Sequence, residues 1–93
     1  MSEVRQHLIE QLTTALSPEY LEVINESYKH AGHAGYAEDS HYRITVVSSN
    51  FDGMRLVDRH RFINELFREE LEHIHAMAMH TYTPSEWDKK NSS

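Results

Sequence analysis

The apolar positions of this 93-residue chain change period several times, and each change marks an element. In residues 3–16, EVRQHLIEQLTTAL, the positions Val4, Leu8, Leu12 and Ala15/Leu16 recur every three to four residues. That is one apolar stripe on a helix, with Ser2 as a cap and Ser17-Pro18 as its stop. YLEVINESY at 20–28 sets Leu21 and Val23 against Glu22 and Glu26 and predicts a strand. HYRITVVSS at 41–49 alternates more cleanly, with Tyr42, Ile44 and Val46 on one face and His41, Arg43 and Thr45 on the other. A second strand follows. NFDG at 50–53 marks a turn. From Met54 to about Leu71 helical spacing returns through Leu56, Phe62/Ile63, Leu66/Phe67 and Leu71, a long region that divides into two pieces. HIHAMAMHTYT at 73–83 predicts a third strand, and PSEWDK after it suits a short final helix with proline early and acids in its first turn.

The order α-β-β-α(α)-β-α is that of an α+β domain, a three-stranded sheet with helices packed on one side. One domain over residues 1–88 and a disordered tail at 89–93 are expected, since a chain this short supports a single core.

Composition narrows the chemistry. There is no cysteine, so disulfides and thiolate metal sites within the chain are excluded, and any metal must be held by histidine, by carboxylate or by another molecule. Fifteen acids against nine bases give a formal net charge of −6, which opposes non-specific phosphate binding unless the bases are segregated. The N-terminus has early charges and lacks an apolar run of signal-peptide length, and no stretch approaches the roughly 20 apolar residues that span a bilayer. A soluble, cytoplasmic protein without a membrane role is expected. Nucleophile motifs, a P-loop and paired carboxylates are lacking, so no enzymatic activity is expected.

Histidine is the conspicuous residue. HAGHAGYAEDSH at 30–41 joins the first two strands, is longer than an ordinary hairpin loop, and carries His30 and His33 separated by two residues. His75 opens the third strand, two residues after His73. Imidazoles so placed can ligate a metal or simply bond to neighbouring carbonyls, and a zinc or copper ion held by His30, His33 and His75 is one form of the first reading. GHAG at 32–35 matches the G-x-x-G clamp of KH domains but joins strands rather than helices, so the match is read as chance. RLVDRHR at 55–61 sets Arg55, Arg59 and Arg61 near a helix start, where they can touch phosphates or form a solvated face diluted by later acids.

Taken together, LEVINESYKH (21–30), SHYRITVVSSNFDG (40–53), the RHR at 59–61 and IHAMAMHTYTPSEW (74–87) resemble the BolA family, from about residue 3 to 88. The resemblance implies a class II KH-like fold. It also implies a non-catalytic adaptor that pairs with a monothiol glutaredoxin and shares a bridging [2Fe-2S] cluster, in iron-sulfur trafficking and iron or stress regulation. The family's histidine ligand falls on His75, and its second ligand, from the loop between the first strands, falls on His30 or His33, His30 matching better. The glutaredoxin thiolate and its bound glutathione would supply the sulfur ligands, because a [2Fe-2S] iron accepts imidazole in place of thiolate. The isolated protein is then expected to hold no cluster and to be a monomer or weak dimer. Bacterial members of the family are also regarded as DNA-binding regulators of stress response and cell shape. If this chain binds double-stranded DNA, the bases to test are Lys29, Arg43, Arg55, Arg59 and Arg61. His41 and His60 are read as structural.

Overall fold

The computed structural model of the chain describes residues 3–26, 41–74 and 76–92. The first helix, α1 (Glu3–Leu16), runs as its spacing predicts and buries Leu8, Leu12 and Leu16. It ends where Ser17 turns left-handed (φ 43°) and donates its N–H to the Thr13 carbonyl at 3.0 Å, an αL cap closed off by Pro18. The expected Ser2 cap lies outside the described residues.

Three strands form one sheet in the order β1-β2-β3: β1 (Tyr20–Asn25), β2 (His41–Val47) and β3 (Ala76–Tyr82). β1 and β2 pair antiparallel, β2 and β3 parallel. The sheet is therefore mixed, with β2 at its centre. Its registers put Leu21, Val46 and Thr81 in one row across the strands, Val23, Ile44 and Met79 in the next, and Asn25, Tyr42 and Met77 in a third. These rows share one face. Against it pack Leu8, Leu12 and Leu16 of α1, Phe51, and Ile63 and Phe67 of α2 (Leu56–Leu66) and its end, giving one contiguous core. Each such side chain contributes roughly 1.5–3 kcal/mol by leaving water.

The helical region expected over 54–71 is shorter than its periodicity. α2 stops at Leu66, Phe67 caps it, and a separate 3-10 turn follows at Glu70–Glu72. Glu65, Glu69, Glu70 and Glu72 crowd what would be the C-terminal half of one long helix, where negative charge opposes the macrodipole. β2 likewise ends at Val47 rather than Ser49, because the Ser48 hydroxyl accepts the Asn50 N–H (3.1 Å) and donates to the Leu16 carbonyl (2.7 Å). That turn closes through Gly53, whose φ of 81° suits glycine. β3 starts at Ala76 instead of residue 73, since His73 ends the 3-10 turn with its N–H on the Glu70 carbonyl.

The final helix, α3 (Pro84–Asn91), corrects the disordered tail expected from residue 89: Lys89, Lys90 and Asn91 are helical. Two features extend it. Thr83 and Glu86 form a reciprocal capping box at its start, and the two lysines complement the dipole at its end. Trp87 of α3 stacks on Tyr20 (centroids 5.0 Å, 22° between planes) and leans on Tyr82 (5.2 Å, 53°), closing one end of the opposite sheet face. No helix among the described residues is long and apolar enough to cross a membrane.

Candidate functional site

The parallel pairing of β3 decides where the histidine-bearing segments lie. His41, where the chain re-enters the sheet after the 26–41 connection, is in register with Ala76, where β3 begins. Glu26, where the connection leaves, donates its N–H to the His41 carbonyl at 2.8 Å. Both ends of the connection and the entry to β3 therefore share one end of the sheet. His30, His33 and His75 themselves lie outside the described residues, as does Lys29. Among the described residues, no group of three or more histidines and carboxylates is arranged to hold a metal.

Arg43 also stands at this end. Its Nη2 meets Glu26 Oε2 at 2.7 Å, so a carboxylate from β1's end already neutralises it. The sequence around Glu26 carries no mark of this pairing. The register carried the signal: with Ile24 opposite Arg43, residue 26 is the next side chain on that face.

The basic cluster on α2 divides by burial. Arg55 and Arg61 project into water, with side chains 78% and 73% exposed, and share the Asp58 carboxylate at 3.3 and 3.7 Å. Leu56 and Val57 beside them are exposed as well, so the first turn of α2 presents an apolar and basic surface. Arg59 points the other way. Its side chain is 6% exposed and reaches Glu86 of α3 through two bonds, Nη1 to Oε1 at 2.7 Å and Nη2 to Oε2 at 3.1 Å. It also donates to the Met54 carbonyl (3.0 Å) and, more weakly, to the Thr81 carbonyl (3.4 Å), and its guanidinium lies 5.7 Å from the Phe51 ring centre. With four of its five donors engaged by α3, β3 and the turn, Arg59 is a tie between elements rather than a base offered to solvent. The Arg59 bonds, with the Thr83 N–H, hold the Glu86 carboxyl at about 2 against an ordinary 4.5.

His7 on α1 contacts Glu70 of the 3-10 turn, joining these elements near the surface. His60 is half-buried on α2.

The BolA-like protein family matches residues 12–86. A DNA-binding transcriptional regulator BolA from Vibrio cholerae is 48% identical over 88 residues, covering 92% of this chain and 81% of that protein. The regulator of the same name from Escherichia coli is 43% identical, covering 91% and 80%. Among solved structures, BolA1 from Arabidopsis thaliana superposes with a TM-score of 0.83 at 38% identity, covering 92% of this chain and 97% of that one. BolA1 from Mus musculus gives 0.82 at 40% identity, covering 100% and 75%. Sequence and fold agree along nearly the whole chain, with the same mixed three-stranded sheet: this protein belongs to the BolA family.

Proposed function

We propose that this protein is a cytoplasmic, non-catalytic adaptor that binds a monothiol glutaredoxin and completes a bridging [2Fe-2S] cluster through His75 and one of His30 and His33. The observation that carries this reading is the register between His41 and Ala76. It returns the 26–41 connection to the sheet beside the entry of β3, so two segments distant in sequence reach one end of the fold.

The donor chemistry fits a shared site. A chain without cysteine can offer no thiolate, and two imidazoles leave half the ligands of a [2Fe-2S] unit to be supplied as thiolates by another molecule. A cluster bound there would supply electron-accepting iron, with a potential raised by imidazole ligation. The chain's part would be to offer neutral imidazoles, since only a deprotonated ring nitrogen can ligate a metal.

Visible absorption and circular dichroism of the protein mixed with a monothiol glutaredoxin, glutathione, iron and sulfide test this. The mixture should give a spectrum distinct from that of the glutaredoxin alone, lost in His75→Ala and altered in His30→Ala or His33→Ala. Identical spectra for wild type and His75→Ala would overturn the assignment.

A second reading, binding of double-stranded DNA, is favoured by the exposed Arg55 and Arg61 and by the names of the bacterial relatives. The first turn of α2 is the surface it would use, with Lys29 as a further base and Arg43 held back by its pairing with Glu26.

A further inference from the structure

The two edges of the sheet are treated differently. On β1, the hydrogen bond from Glu26 N–H to His41 shows that even-numbered residues face β2, so Val23 turns its carbonyl to the outside. Arg5 of α1 covers it, donating from Nε at 2.8 Å. Glu22 adds an exposed charge to the same strand. These are the devices by which a sheet prevents another strand from adding to it.

β3 has neither along most of its length. Ser48 donates its N–H to the Tyr82 carbonyl, so Tyr82, His80, Ala78 and Ala76 turn their backbone groups toward β2, and Thr81, Met79 and Met77 turn theirs outward. The Arg59 guanidinium takes the Thr81 carbonyl. Among the described residues nothing takes the N–H and C=O groups of Met77 and Met79. The strand, AMAMHTY, holds no proline and no Asp, Glu, Lys or Arg, and Ala76 and Ala78 leave its solvent face flat.

We propose that this edge pairs with a second copy of the chain, β3 against β3 in antiparallel register centred on Ala78. The free groups select that register. With Ala78 on the two-fold axis, Met77 faces Met79 of the second copy and the reverse, so the two unpaired residues on each strand exchange all four backbone hydrogen bonds. A register one step further would need the Thr81 carbonyl that Arg59 occupies. The side chains agree with the choice: Ala78 meets Ala78, and His80 meets Ala76, so no like charges oppose one another even when His80 is protonated. The result is a six-stranded sheet through two molecules. Its short contact makes the dimer weak and concentration-dependent, since two residues per strand carry the hydrogen bonds. The pairing does not rest on the adaptor reading.

Sedimentation velocity over rising concentration, with single-cysteine crosslinking, tests it. The chain has no cysteine, so an introduced one reports alone. The wild type should dimerise with concentration. Ala78→Lys, which places two lysines face to face at an exposed position, should remain monomeric with an unchanged melting temperature. Ala78→Cys should form an intermolecular disulfide in a glutathione redox buffer much faster than Ala76→Cys, whose partner in register is His80. The proposal is overturned if the wild type stays monomeric throughout, if Ala78→Lys dimerises as readily, or if the two cysteine variants crosslink at equal rates.

Discussion

Arg59 and Glu86, 27 residues apart, meet in a two-pronged ion pair that ties α2 to α3 across the end of β3. The same carboxylate accepts the Thr83 N–H at 2.8 Å, so one glutamate both caps its helix and anchors it to another. Removing the arginine leaves carbonyls of Met54 and Thr81 without their donor as well. Arg59→Met should cost on the order of 2 kcal/mol in urea unfolding, while the exposed Arg61→Ala stays within about 0.5 kcal/mol of wild type.

The pair also predicts an acid limb. Glu86 titrates at about 2 in the folded protein against 4.5 unfolded, so the unfolded chain takes up the proton first. The stabilisation is fully present above pH 4.5 and disappears as pH falls through about 2. Melting temperature followed from pH 7 to 2 should decline less steeply below 4.5 in Glu86→Gln than in wild type. Parallel declines would remove Glu86 from the account.

Helix α3 can be followed by fluorescence, because Trp87 is the chain's one tryptophan and is held between Tyr20 and Tyr82. Thr83→Ala deletes the cap and should cost about 1 kcal/mol. Its emission should move to the red at lower denaturant than in wild type.

Thr81 carries the opposite expectation. Its hydroxyl is buried in the core face and has no hydrogen-bond partner among the described residues. Thr81→Val keeps the shape and removes the unmatched polar atom, so stability should be equal or higher by about 1 kcal/mol. A clear loss on thermal melting would mean the hydroxyl is engaged.

If α2 meets DNA, its arginines will separate by salt. Arg55→Ala and Arg61→Ala should each weaken duplex binding and lower the salt slope by about 1, across all sequences alike. Arg59→Lys should leave that slope unchanged, since the side chain is turned inward.

Much of the fold follows from periodicity. α1 has its expected bounds, and the alternation of β2 sorts Tyr42, Ile44 and Val46 inward. What period cannot carry is pairing: alternation looks alike in parallel and antiparallel strands, so the β2–β3 register that defines the candidate site emerges only in three dimensions. Charge and neighbours group Arg59 with Arg55 and Arg61. Its spacing held the better signal, since it stands four residues before Ile63 on the apolar stripe, and Thr83-x-x-Glu86 is a capping-box pattern. A buried cation is found by its partner, and that partner is 27 residues away. The assignment of His30, His33 and His75 rests on the family resemblance, because all three fall outside the described residues.

The parallel pairing of β3 also orders the folding of the chain. β1 and β2 are antiparallel neighbours and can zip from one connection, whereas β3 finds β2 only after the chain from Ser48 to position 75, α2 included, has closed back on the sheet. Contacts of that separation form late and slow the whole reaction. Until they form, β2 has one bare edge, and Arg59 has neither Thr81 nor Glu86 to meet. Pairing of β3 therefore both completes the sheet and locks the helices; where the Arg59–Glu86 tie forms after the transition state, its mutation changes the unfolding limb of a chevron plot far more than the folding limb.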